Sequence, residues 1–147
     1  MLRQSIESLA LLLFALPALA AGPLTLVSED EARLPAGEVQ KMRGITRGPT
    51  VELISPKPDA KNVKSPLDFK LRFVAHGGAS IDAESVQLLY VKSPSVDLTE
   101  RVAANTSADG ISIGQAALPP GEHVMVVSVT DSSGRRGQSV FKLSVGK

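Results

Sequence analysis

The chain has 147 residues, and its 16 Lys and Arg against 15 Asp and Glu give a formal net charge of +1. That length supports one domain, and the balanced charge gives no electrostatic argument for nucleic acid or an anionic membrane surface. Aromatic residues make up only 3% of the chain and Trp is absent, so stacking surfaces for bases or sugars are poorly supplied.

The N-terminus has the pattern of a secretory signal peptide over residues 1–21. Arg3 lies in a short polar start, and an apolar run follows over residues 9–16. Small residues at Ala18 and Ala20 predict cleavage after Ala20 or Ala21. The apolar run is shorter than the roughly 20 residues of a membrane-spanning helix. We therefore expect a periplasmic or secreted protein that does not span the membrane after cleavage.

The segment that follows, residues 22–48, shows no sustained apolar period. Its acidic part is Glu29–Glu31, and its basic end includes Arg43 and Arg47. This composition predicts a flexible, solvated segment, with a short amphiphilic helix or a partner-binding arm as the alternative. The chain has no cysteine, which excludes disulfides, thiolate metal sites, a cysteine nucleophile and a lipid-modified cysteine.

From Pro49 to Gly146 the sequence predicts short β-strands. The clearest is PLDFKLRF, in which Leu67, Phe69 and alternate residues onward are apolar, so one face of the strand is buried. Asp82 is expected to cap a helical turn before one of the other strands. Those strands are predicted at residues 50–55, 85–91, 96–102 and 110–114, and in a closing hairpin with its turn at 132–134. About seven strands predict an all-β Greek-key sandwich over residues 49–146.

Two stretches of this region resemble bacterial Ig-like domains. They are GASIDAESVQLLY and, later, LPPGEHVMVVSVTDSSGRRGQSVFKLSV. The resemblance implies that Gly121 begins a strand, that Asp131 and Gly134 form a turn, and that Phe141 and Val145 fill the core. It also implies an Ig-like fold in an extracytoplasmic setting, but members of this family do many things, so the fold does not carry the function.

The chain also resembles, more weakly, the periplasmic copper-resistance sandwich proteins, in its proline-rich start and in LPPGEHV before the last hairpin. That family implies copper ligands at an N-terminal histidine and at a histidine after the last turn. With the predicted cleavage, the mature chain is expected to begin at Ala21 or Gly22, and Arg135 follows the turn glycine. Periplasmic copper handling is therefore kept as the alternative function, with both expected ligands missing.

The other chemical motifs are interpreted as structural, so neither an enzyme nor a cofactor or metal site is predicted. Ser112 lies in GISIG, which matches the G-x-S-x-G of serine hydrolases but lacks the helix that must follow it. His76 is expected in a solvated loop and His123 as half-buried filler. Four aspartates near strand ends are expected to cap turns rather than to bind calcium, namely Asp82, Asp97, Asp109 and Asp131.

These observations predict an exported, noncatalytic Ig-like binding or assembly module of the bacterial envelope. Its partner is expected to be another envelope or extracytoplasmic protein, recognised through a free sheet edge or loop tips. The predicted binding residues are the basic hairpin tip, Arg135 and Arg136, together with Arg43 and Arg47 of the preceding segment.

Overall fold

The computed structural model describes residues 22–39 and 47–147, which form two β-sheets around one core. The described residues include two helical turns of four residues each, α1 (Glu29–Ala32) and α2 (Thr99–Val102). A 3-10 turn at Ala103–Asn105 follows α2. The strands are β1 (Leu24–Thr25), β2 (Thr50–Ser55), β3 (Leu67–Val74), β4 (Ile81–Tyr90), β5 (Val96–Asp97), β6 (Thr106–Ser107), β7 (Gly110–Ala117), β8 (Gly121–Asp131) and β9 (Arg136–Val145).

The first sheet has the strand order β1-β7-β3-β2, with β6 also paired to β7, and the second has the order β5-β4-β8-β9. All pairs are antiparallel except β1 with β7. The predicted all-β sandwich is confirmed; residues 22–39 and 47–147 contain nine strands, of which β1, β5 and β6 have only two residues.

The alternation of apolar and polar residues that predicted β3 matches the alternation of buried and exposed residues along the strand. Leu67, Phe69, Leu71 and Phe73 are buried, and the residues between them are exposed. In the second sheet, alternate residues of β8 from His123 to Val129 face the same interior. Each large apolar side chain removed from water in this way contributes about 1.5–3 kcal/mol.

The structure differs from the prediction of a flexible segment over residues 22–48. Residues 22–39 pack on the sandwich: β1 pairs with β7, and Leu26 and Val27 are 0% and 2% exposed. Ser28 and Glu31 form a reciprocal capping box around α1. Because only two adjacent residues enter the core here, the sequence shows no period. Residues 40–46 and the predicted signal peptide lie outside the described residues.

Two local predictions were wrong. Residues 96–102 form β5 and α2 rather than one strand, and the Asp97 carboxylate accepts the N–H of Thr99 at 2.9 Å where the chain turns. Asp82 caps no helix, because it lies within β4, where its carboxylate accepts the N–H of Glu84 at 3.0 Å beside an irregularity in pairing with β8. No helix within residues 22–39 and 47–147 is long and apolar enough to cross a membrane.

Candidate functional site

Two distant parts of the chain meet at the turn between β8 and β9. The backbone of Gly48 packs against the backbone of Arg136, so closely that a β-carbon at Gly48 would clash with the Arg136 carbonyl oxygen. Gly137 lies in the same way on the carbonyl oxygen of Pro49. This backbone contact brings Arg47 next to the hairpin. We call Arg47, Arg135 and Arg136 the arginine end; the fourth predicted residue, Arg43, lies outside the described residues.

Arg135 is committed to the turn itself. Its Nε donates to Asp131 Oδ2 at 3.0 Å, its backbone N–H donates to Asp131 Oδ1 at 2.9 Å, and its Nη2 donates to the carbonyl oxygen of His76 at 2.9 Å. Burial alone would raise the pKa of Asp131, but hydrogen bonds from Arg135 and Ser133 and the charge of Arg135 lower it. Arg135 therefore ties the hairpin to the loop after β3.

Within the arginine end, the guanidinium groups of Arg136 and Arg47 are more available to another molecule than that of Arg135. Both are exposed, and Arg136 donates from Nη2 to Ser128 Oγ at 3.0 Å on the outer face of the second sheet. Neither forms an ion pair with a carboxylate of the described residues. A guanidinium not already paired keeps its planar donors available for a carboxylate of another molecule.

The two histidines have different surroundings. His76 Nε2 lies 2.7 Å from Thr50 Oγ1 near the arginine end. His123 is 1% exposed, more buried than predicted, and its Nε2 lies 2.7 Å from the carbonyl oxygen of Pro119. Because a carbonyl only accepts, Nε2 carries the proton, and Nδ1 accepts from the Tyr90 hydroxyl at 2.9 Å. Burial lowers the pKa of His123, and both ring nitrogens are occupied.

The remaining motifs fall on separate strands and turns. Ser112 lies in the middle of β7, exposed and opposite Lys70, rather than on a strand-to-helix turn. Asp131 accepts backbone N–H groups in its turn, as Asp82 and Asp97 do elsewhere. In the part of the chain that the structure describes, no group of three or more His, Asp or Glu side chains is placed to hold a metal ion.

Sequence reasoning missed an apolar row on the outer face of the second sheet. Leu89, Val126 and Val140 are neighbours across β4, β8 and β9, and the Val140 side chain is 43% exposed. The sequence signal is present in RGQSVFKLSV, where Val140 occupies the outward phase that is otherwise polar. The row begins close to Arg136, two outward positions earlier on β9.

Comparisons with known proteins give no family for this chain. No protein-family model matches it, and no curated protein matches it. One solved structure with similarity is the Cellulomonas fimi endo-beta-1,4-mannanase double mutant, at 18% identity and a TM-score of 0.37. The match covers 65% of this chain and 18% of that one.

Proposed function

We propose that this protein is an exported, noncatalytic Ig-like module that binds or assembles with another protein of the bacterial envelope. The observation that carries the proposal is the arginine end, where backbone contacts bring Arg47 beside Arg136 although the two lie far apart in sequence. Export is supported by the pattern of residues 1–21, and the Ig-like assignment by the two stretches quoted above.

The proposed binding mechanism follows from the contacts that each arginine already makes within the chain. Arg135 is held in the turn by its own hydrogen bonds, so its role is to position Arg136 rather than to contact the partner. Arg47 and Arg136 present exposed guanidinium groups to an acidic surface on the partner. Pairs of this kind at an interface rim mainly set the association rate and orientation, and each adds modest affinity.

The test is affinity purification of the tagged, mature protein from its own periplasm, with identification of bound proteins by mass spectrometry. The test variant is Arg47→Glu with Arg136→Glu. Its matched control is Lys57→Glu with Lys61→Glu, the same change in charge on exposed residues of the β2–β3 loop, at the other end of β2. Arg135 is left intact because its replacement would disturb the turn.

The expected result is a stoichiometric protein partner that is retained by the control variant and lost from the arginine variant. Equal recovery with both variants would overturn the assignment to the arginine end, and recovery of no partner at all would overturn the binding function. Elemental analysis of the same eluate tests the alternative, periplasmic copper handling, which requires about one copper ion per chain.

A further inference from the structure

The edge of β4 that faces away from β8 is only partly covered by a neighbouring strand. β5 pairs with β4 at Leu89 and Tyr90, and the chain then turns into α2. Along the rest of this edge, α2 and β6 face β4 across a gap between the two sheets. In the order of the second sheet, this edge lies on the side opposite β9, the strand against which Gly48 packs.

A cleft of about 250 Å³ occupies this gap. Its lining has three apolar and three polar residues, namely Ala83, Val86 and Ala103 with Glu84, Thr99 and Thr106. In the described part of the chain, no Lys, Arg or His lines it. Clefts that hold drug-sized ligands measure roughly 300–1,000 Å³, so this one has the size for a single side chain.

The main chain of Val86 presents a donor and an acceptor to this cleft. The N–H of Leu88 donates to Thr99 Oγ1 at 3.1 Å and its carbonyl accepts from Leu98 at 2.8 Å, so both groups point away from β8. Pairing with β8 is regular from Gln87 onward, and alternate residues of a strand point the same way, so Val86 faces α2 as well. Within residues 22–39 and 47–147, neither main-chain group of Val86 has a hydrogen-bond partner.

These two groups specify the chemistry of an occupant. Val86 is 3% exposed, and buried main-chain N–H and C=O groups in proteins are nearly always hydrogen-bonded to protein, water or ligand. A ligand that displaces water from them binds well only if it replaces both hydrogen bonds. A primary carboxamide has an accepting oxygen and a donating NH₂ on one planar group, whereas a carboxylate lacks the donor and an ammonium lacks the acceptor.

Two further side chains of the cleft favour the NH₂ end of such a group. Thr106 Oγ1 donates to the carbonyl oxygen of Val102 at 2.8 Å, which leaves its lone pairs to accept. Glu84 is exposed, and its carboxylate forms no ion pair with a described residue. Either oxygen can accept the second N–H of a carboxamide, and the charge of Glu84 disfavours a carboxylate ligand.

We propose that this cleft, which we call the amide cleft, binds the carboxamide side chain of a glutamine on the partner protein. The carboxamide oxygen accepts the N–H of Val86, and the NH₂ group donates to the Val86 carbonyl and to Thr106 or Glu84. The two methylenes of the glutamine lie against Ala83 and Ala103. This inference rests on the proposed binding function and adds a specific contact to it.

The position of the amide cleft allows one partner to contact it together with the arginine end. Arg136 pairs with Thr130, and Thr130 pairs with Asp82, so the three residues form one row across β9, β8 and β4. At roughly 4.8 Å between strands, the row is about 10 Å long. The cleft begins at Ala83, the residue after Asp82.

The experiment titrates the ¹⁵N-labelled mature chain with propionamide, which is the side chain of glutamine as a free molecule. Propionate and propylammonium, of the same length, are the control ligands. Binding is followed by NMR at the amide of Val86, with Ser112 on the outer face of the first sheet as the internal reference. Ala103→Leu fills the cleft, and Ala104→Leu is the matched control, because Ala104 is exposed in the same 3-10 turn but does not line the cleft.

We expect a saturable shift at Val86 and none at Ser112, with a millimolar dissociation constant for so small a ligand, and binding of both control ligands at least about tenfold weaker. Ala103→Leu is expected to abolish the shift and Ala104→Leu to keep it. No saturable shift, equal binding of all three ligands, or unchanged binding to Ala103→Leu would overturn the proposal. If circular dichroism shows that Ala103→Leu is unfolded, Ala83→Leu replaces it with the same expected loss.

The same variants separate failure of this inference from failure of the proposed function. In the periplasmic purification, we expect the partner to be lost from Ala103→Leu and retained by Ala104→Leu. A partner that Ala103→Leu retains, but that Arg47→Glu with Arg136→Glu loses, would overturn the glutamine contact alone and leave the binding function in place.

Discussion

Two arginine–carboxylate pairs stabilise different parts of this fold, and they differ in how far apart their residues lie in the sequence. Arg135 and Asp131 are four residues apart in one turn. Arg101 and Glu31 are 70 apart; Arg101 Nη1 donates to Glu31 Oε2 at 2.8 Å and to the carbonyl oxygen of Leu26 at 3.0 Å. The first pair shapes a hairpin, whereas the second attaches the N-terminal residues to the sandwich.

The comparison shows which contacts a sequence reveals. The motif D-S-S-G signals a turn whose aspartate accepts nearby N–H groups, and Asp131 does accept those of Ser133 and Arg135. Nothing adjacent to Glu31 signals Arg101. That pair forms only because Leu26 and Val27 enter the core and bring the capping box of α1 against α2.

The largest expected effect breaks the attachment of the N-terminal residues. Leu26→Ala removes a fully buried side chain, and we expect a loss of about 3 kcal/mol in the free energy of unfolding. Ile54→Ala, at an exposed position, is the control and is expected to cost less than about 1 kcal/mol. Urea denaturation measures both. Equal losses would mean that residues 22–39 do not belong to the cooperative core.

A second test addresses the turn. Asp131→Ala leaves the N–H groups of Ser133 and Arg135 without their acceptor, and we expect a loss of about 2 kcal/mol in unfolding free energy. Asp131→Asn keeps one acceptor oxygen and is expected to lose less. If both variants unfold at the same urea concentration as the unmodified chain, the turn does not depend on this carboxylate.

A third test examines the distant pair, Arg101 with Glu31, through the pH dependence of stability. Hydrogen bonds from Arg101 lower the pKa of Glu31 from 4.5 to about 2, so the pair stabilises the folded state above pH 4.5 and loses that contribution as the pH falls toward 2. Glu31→Gln is expected to cost about 1 kcal/mol at pH 7 and to flatten the acid dependence in this range. An unchanged slope of stability against pH would contradict the assignment.

The smallest expected effect concerns His123, which forms a hydrogen bond to a residue distant in sequence rather than an ion pair. Burial lowers its pKa, so the unfolded state binds the proton more readily, and stability falls as the pH drops below about 6.5. His123→Gln keeps hydrogen-bonding groups for Tyr90 and Pro119 but does not titrate. Thermal melts between pH 7 and 5 should show a weaker pH dependence in this variant; the same dependence in both would show that another group is responsible.

Part of the candidate site was accessible from the sequence. The hairpin tip with Arg135 and Arg136 was located by its turn residues, and its position at the end of β8 is where the strand pattern puts it. The approach of residues 47–49 to this tip was not, because it depends on Gly48 and Pro49 packing against the backbone of β9.

Local sequence patterns specify the all-β class, the alternation of burial along β3 and β8, and the closing turn, because these depend on residues only a few positions apart. Long-range contacts in the folded chain are needed to explain why residues 22–39 join the core, why Arg101 pairs with Glu31, and why β2 lies next to β9. Those outcomes depend on contacts between residues distant in the chain, which no local pattern of side chains encodes.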